Sequence, residues 1–150
     1  MSSGTSSFVG TVVDLEDMAS YQGAVYTKMA TLETSYGEEV KIFDKDGLLE
    51  KEDIGEEKEL SISALVNAVR EAEDSNGLKR AKETSDNWHY NITGTTEHLE
   101  KDDSDTEIIL QVNENLRLDA SIPHSELEDL SKGDRIQLIN SRLDLEKVIS

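Results

Sequence analysis

The chain has 150 residues, which is the usual size of one domain or of two very small barrels that share an interface. Its 33 acidic and 15 basic residues give a formal net charge of -18, which disfavours direct binding of DNA or RNA because lysine and arginine supply the affinity for phosphates. Cysteine is absent, so disulfide bonds, thiolate catalysis and cysteine-ligated zinc are excluded.

The N-terminal segment is rich in serine, glycine and threonine, and we expect residues 1–7 to be disordered. It lacks the charged start and apolar run of a signal peptide. No apolar stretch of the sequence approaches the roughly 20 residues that a membrane span needs. The sequence therefore predicts a cytoplasmic protein without membrane contacts.

Short strands dominate the first half. Aromatic and β-branched residues predict a strand that begins at Phe8 and bends at Gly10. Residues 24–33 and 39–44 alternate loosely around a glycine-containing turn, so they predict a hairpin.

A short helical piece is expected at residues 48–54, with Gly55 as its C-terminal cap. Alternation resumes at residues 58–66, where the apolar positions share one face. A helical stripe of apolar residues also begins at Ala64, so the strand could pass into a helix near residue 66.

Residues 71–87 contain little that could be buried, and they are interpreted as a polar loop or linker. The second half then repeats the order of the first, with a short helical piece at residues 125–130. Its expected strands are residues 88–95, 107–112, 116–122, 135–139 and 143–148.

An internal repeat relates the two halves. Eight residues from Gly10 and eight from Gly94 share four identities, and each half has a leucine six residues before a glycine, Leu49 in the first and Leu127 in the second. Each copy should be one supersecondary unit. We expect the two glycines at equivalent strand bends and the two leucines as equivalent plugs under the barrels.

Each half thus supplies about four strands, with a short helix between the third and the fourth, which is the order of OB-type barrels. The predicted fold class is all-β, with two OB-like small β-barrel halves, separate or fused into one barrel, and short helices. The predicted boundaries are 8–70 for the first half, 71–87 for the linker and 88–150 for the second half.

The second half resembles a Mop module, the small OB-type barrel of molybdate-binding proteins. The resemblance lies in Ile92-Thr93-Gly94-Thr95, in the hairpin at 107–122 and in residues 125–139. It implies a barrel and, as an alternative function, binding of a small oxyanion. The Ser-Ala-Arg-Asn type segment that opens Mop modules is absent from both halves, so no ligand residue is carried over.

In layout, the whole chain also resembles the small common subunit of RNA polymerase that is built as a duplicated OB barrel. The resemblance rests on length, acidity, a loop between the halves and the aromatic-rich strand at residues 88–95. It implies a structural, non-catalytic role.

Two groups of residues are candidates for partner binding. Lys79, Arg80 and Lys82 form the clustered positive charge of the chain, which either contacts an acidic partner or phosphate backbone, or belongs to a solvated loop. Trp88 and Tyr90 would face the same side of a strand, where they either form a stacking platform or pack in the core or between the barrels.

The three histidines lack a metal-ligand spacing, and the acidic residues 102–107, either a cation site or a solvated hairpin loop, do not match the calcium-loop pattern. No serine triad, phosphate loop or dinucleotide fingerprint is present, so we expect no catalytic residue, metal or cofactor. The sequence favours a non-catalytic acidic interaction module that docks on a protein partner, as a subunit or adaptor of a nucleic-acid machine such as RNA polymerase. The alternatives are a Mop-like oxyanion binder and an acidic DNA mimic that inhibits a DNA-binding enzyme. Adaptation to high salt is another explanation of the acidity.

Overall fold

The computed structural model describes residues 6–21, 24–34, 37–66, 68–73, 75–80, 89–114, 116–125 and 130–149. Most of these residues lie in β-strands, and a short 3-10 helix is present at Lys51–Asp53. The strands are β1 (Ser7–Tyr21), β2 (Ala24–Glu33), β3 (Glu39–Asp44), β4 (Glu57–Leu65), β5 (Ala68–Glu71), β6 (Gly77–Arg80), β7 (Tyr90–Lys101), β8 (Asp105–Asn113), β9 (Leu116–Pro123) and β10 (Arg135–Val148). The all-β fold class is confirmed.

The strands close into two rings that share β4 and β10. In the first ring, β1 pairs with β2, β2 with β3, β3 with β10, β10 with β4, and β4 with β1. In the second ring, β7 pairs with β8, β8 with β9, β9 with β4, β4 with β10, and β10 with β7. Each ring of this OB-like architecture therefore contains a strand from the other half of the sequence.

Each ring is closed by one parallel contact between the halves. Phe43 on β3 lies beside Asp144 on β10, and Ser63 on β4 lies beside Asp119 on β9. A single hydrophobic cluster extends from Phe8 on β1 to Leu145 on β10 and includes buried residues of both halves. The two barrels are thus fused through shared strands and a continuous core.

The structure confirms the predicted equivalence of Gly10 and Gly94. Both lie in the first strand of their half. The pairing of that strand with the next one shifts in register two to four residues after the glycine, between Val12 and Asp14 in β1 and between Thr96 and His98 in β7. The loop glycines also correspond, because Gly55 N donates to the Val12 carbonyl oxygen (2.6 Å) and Gly133 N donates to the Thr96 carbonyl oxygen (2.7 Å). The repeat is therefore visible in hydrogen bonding as well as in sequence.

The structure differs from several of the local predictions. The chain after residue 66 continues as β5 and not as a helix, because residues 68–71 pair with β10. Residues 77–80, inside the segment interpreted as a linker, form β6 against β7. Residues 1–5 lie outside the described residues, whereas Ser6 is buried and Ser7 begins β1. Backbone pairing and burial override the polar composition at these positions.

Leu49 is fully buried, as expected of a plug, whereas Leu127 lies outside the described residues. The side chain of Asp44 holds the backbone that precedes Leu49 in place, since its carboxylate accepts hydrogen bonds from Leu48 N (2.9 Å) and Leu49 N (2.8 Å). Gly47, which begins this loop, has a φ of 63°, a left-handed conformation that favours glycine.

Replacing Leu49 with alanine is expected to lower the free energy of unfolding by about 3 kcal/mol, because it leaves a cavity under the first ring. Leu48 provides a matched control, since it is the same residue type, adjacent in sequence and 40% exposed. We expect Leu48→Ala to change the stability by less than about 0.5 kcal/mol. Urea denaturation of both variants checks this, and equal losses would contradict the assignment of Leu49 as a plug.

Candidate functional site

Of the residues that the sequence singled out for partner binding, the described ones differ in exposure. Tyr90 is only 4% exposed, and its hydroxyl oxygen accepts a hydrogen bond from Lys41 N on β3 (2.9 Å). Its ring packs in the core shared by the halves, where a partner cannot stack on it. Lys79 is exposed on β6, and the Arg80 backbone pairs with Tyr90. Trp88 and Lys82 lie outside the described residues.

A cavity of about 160 Å³ lies next to Lys79, where β6 meets β7. Its polar lining comes mainly from the segment before β6 and from Thr93 on β7. Gly77 faces Thr93 across the strand pair and has a φ of 153°, and a Cβ atom at this position would have nothing within 4 Å. The lining residues are Ser75, Asn76, Gly77, Leu78, Lys79 and Thr93.

One row of hydrogen-bonded side chains crosses the sheet to this cavity. Arg70 on β5, Gln137 on β10 and Thr93 on β7 are cross-strand neighbours. Arg70 Nε donates to Gln137 Oε1 (2.8 Å), and Gln137 Nε2 donates to Thr93 Oγ1 (3.1 Å). Gln137 and Thr93 are 4% and 3% exposed and are hydrogen-bonded, so the row is a buried polar pair that ends at the exposed Arg70.

A second row has the same order of groups. Arg135 Nε on β10 donates to Asn76 Oδ1 (3.1 Å), and Asn76 Nδ2 donates to Thr95 Oγ1 on β7 (3.2 Å). Arg135 and Thr95 are cross-strand neighbours, and they are two residues away from Gln137 and Thr93 on the same strands. Alternation along a strand therefore places both rows on one face of the sheet.

This face concentrates positive charge in a protein of net charge -18. Arg70, Lys79 and Arg135 lie on it or at its edge, and no carboxylate in the described part of the chain forms an ion pair with Arg70 or Lys79. Cations without carboxylate partners retain a positive potential for an added anion. The arrangement can bind a small anion through an ammonium group, a hydroxyl and amide N–H groups.

Sequence reasoning found only part of this site. It singled out Lys79 as part of a basic cluster, but it missed Arg70, Asn76 and Gln137, which come from separate segments. Alternation in residues 135–139 indicated that Arg135 and Gln137 share a face, and this was the available signal. The partners of that face depend on strand pairing, which the sequence does not show.

A second polar cluster surrounds Asp119, where β9 meets β4. Burial raises the pKa of Asp119, the nearby charges of Glu107 and Glu146 raise it further, and a hydrogen bond from Ser6 opposes the rise. Ser121 Oγ donates to Glu107 (2.6 Å) and Ser63 Oγ donates to Glu146 (2.6 Å). No group of three or more potential ligands that could hold a metal ion occurs among the described residues. We therefore interpret this cluster as structural.

Replacing Asp119 with asparagine is expected to stabilise the protein at pH 7. Because the pKa of Asp119 is raised in the folded state, its contribution to stability is largest below the unfolded value of about 3.9 and is lost as pH rises through the folded value. The gain from Asp119→Asn should therefore be larger at pH 7 than at pH 3.5, as measured by urea denaturation at both values.

The control for this experiment is Asp103→Asn, which removes one negative charge from an exposed loop position. It reports how much stability comes from lowering the net charge alone. A gain for Asp119→Asn no larger than that for Asp103→Asn would contradict a local effect at Asp119.

Searches for known relatives give limited results. No family model matches the sequence, and no curated protein matches it. Among solved structures, the cytoplasmic molybdate-binding protein ModG, crystallised in a PEG-grown form with molybdate bound, is similar with 19% sequence identity and a TM-score of 0.46. The match covers 94% of this chain and 96% of that chain. In the described part of the chain, no helix is long and apolar enough to cross a membrane.

Proposed function

We propose that this chain is a non-catalytic β-barrel protein that binds a small oxyanion in the cavity beside β6. The observation that carries the proposal is the donor-rich lining, in which Lys79, Asn76 and Thr93 surround a space of about 160 Å³. A cavity of about 150 Å³ can hold a molecule of the size of benzene, so this space has room for a small oxyanion.

Electrostatics support an anionic ligand for this cavity and not a cationic one. The chain offers many carboxylates for binding cations, but none of the described residues that line the cavity carries one. The positive groups of Lys79, Arg70 and Arg135 instead lie on this face, so an anion there gains electrostatic attraction.

The test is isothermal titration calorimetry of the full chain with sodium molybdate. We expect saturable binding in the micromolar range. Lys79→Ala should weaken it about 10-fold or more, because a hydrogen bond to a charged group is lost. Absence of saturable binding of molybdate, tungstate and sulfate would overturn the proposal.

Lys101→Ala is a matched control for the loss of one positive charge. Lys101 is exposed at the other end of β7 and does not line the cavity. Its replacement should change the affinity by less than about 2-fold, since exposed charges at that separation are screened. Equal losses in Lys79→Ala and Lys101→Ala would place the binding outside the cavity.

A second candidate function is docking on a protein partner, and the position of β6 favours it. β6 is the last strand in the sheet order, and an edge strand can accept a partner strand through its backbone groups. Lys79 on this strand favours an acidic partner. Affinity purification from native cells followed by mass spectrometry tests this function, and loss of a recovered partner in Lys79→Glu would support it. Docking on RNA polymerase, DNA mimicry and a cytoplasmic location stay predictions.

A further inference from the structure

Two arginines determine the direction of the hydrogen bonds along the cavity wall. A guanidinium group has N–H donors and no acceptor, so an amide that faces it must present its oxygen. Arg70 thus fixes the orientation of Gln137, and Arg135 fixes that of Asn76. The two amides cannot flip without placing N–H groups against N–H groups.

Each fixed amide then presents its nitrogen to a threonine of β7. Gln137 Nε2 donates to Thr93 Oγ1, and Asn76 Nδ2 donates to Thr95 Oγ1. A hydroxyl that accepts such a bond keeps its own proton for another acceptor. Within the described residues, neither threonine hydroxyl donates to an acceptor of the protein.

Among the described residues, the polar side chains that line the cavity therefore present donors. Lys79 has only N–H donors, Thr93 has its remaining O–H, and Asn76 has its second N–H. Ser75 also lines the cavity, but it is exposed, so water can satisfy its hydroxyl. Thr93 itself is only 3% exposed, so a ligand group that faces it without an acceptor would leave its hydroxyl proton unpaired.

We propose that the two arginine–amide–threonine rows make the cavity selective for fully deprotonated oxyanions over oxyanions that carry an O–H group. This inference rests on the proposed function and names the ligand class of the same site. Molybdate, tungstate and sulfate present acceptors on every oxygen at neutral pH. Phosphate and arsenate carry at least one proton at this pH, so they present fewer unprotonated oxygens to the donors of the cavity.

The test compares sodium molybdate, sodium sulfate and sodium phosphate by calorimetry on the full chain at pH 7 and constant ionic strength. We expect phosphate to bind about 10-fold or more weakly than the better of the other two anions, because a buried unpaired donor is costly. Phosphate affinity equal to theirs would overturn the inference and leave the proposed function standing. Absence of binding by all three anions would overturn both.

Variants of Thr93 test whether its proton is used. Thr93→Val keeps the shape and removes the donor, and it should weaken molybdate binding about 10-fold or more, whereas Thr93→Ser should restore most of the loss. Unchanged molybdate affinity in Thr93→Val would overturn the inference. Thermal unfolding shows whether the variants fold. If Thr93→Val does not fold, the comparison of anions on the unmodified chain tests the inference.

Discussion

The two halves of the chain are expected not to fold as separate monomers. A fragment of residues 1–80 lacks β10, which lies between β3 and β4 in the first ring. A fragment of residues 89–150 lacks β4, which pairs with β9 in the second ring, and β5, which extends β10. Each isolated fragment would leave backbone groups unpaired and core residues exposed, so both should show the circular dichroism and NMR spectra of unfolded chains.

Mixing or co-expressing the two fragments should restore the native fold, because every strand is then present. Size-exclusion chromatography with light scattering distinguishes this complex from a dimer of one fragment. Such a dimer could form if two copies of the fragment 1–80 paired through β4 in place of the missing β10. A folded monomer of either fragment would contradict the shared-strand architecture. Failure of the mixed fragments to associate would contradict it as well.

The strands and the repeat were predictable because they depend on local pattern. Alternation identifies a half-buried strand, and a glycine at the same place in two strands marks a position without room for a side chain. Gly10 and Gly94 illustrate this, since their equivalence followed from eight residues of sequence and agrees with the strand registers.

The exchange of strands between the rings was not predictable from the same pattern. Residues 64–72 fit a helical stripe as well as a strand, because alanine and valine at these positions satisfy both periods. Pairing of residues 68–71 with β10 decides between them, and β10 lies far away in sequence. Long-range pairing of this kind determines the secondary structure and leaves no local signal.

The candidate site was also predictable only in part from the sequence. A cluster of positive charge indicated Lys79, but the cavity beside it depends on three groups from β5, β10 and the segment before β6, namely Arg70, Gln137 and Asn76. No sequence motif around any of these three residues indicates that they belong to one site. Their common feature is a position in two adjacent rows of the sheet, which only the register reveals.

Replacing Gly94 with alanine is expected to lower the free energy of unfolding by about 3 kcal/mol, the largest effect of a single methyl group in the repeat. A Cβ atom at this position would lie 2.7 Å from the Gln111 carbonyl oxygen and 2.7 Å from Leu110 Cγ. The first contact is with backbone of the neighbouring β8, so relief requires separation of β7 from β8. Urea denaturation measures the loss, and thermal unfolding should show a parallel decrease.

Gly10→Ala is the matched control, because Gly10 occupies the equivalent position in the first half with more space around it. Its Cβ atom would lie 3.0 Å from Phe8 Cε2 and 3.3 Å from the Glu33 carbonyl oxygen. A small shift of the Phe8 ring relieves the shortest contact, so we expect a loss of about 1 kcal/mol. A loss for Gly10→Ala as large as that for Gly94→Ala would show that the absence of a side chain is required equally in both halves. The smaller loss expected here would instead mean that close approach of β7 and β8 is specific to the half that carries the candidate site.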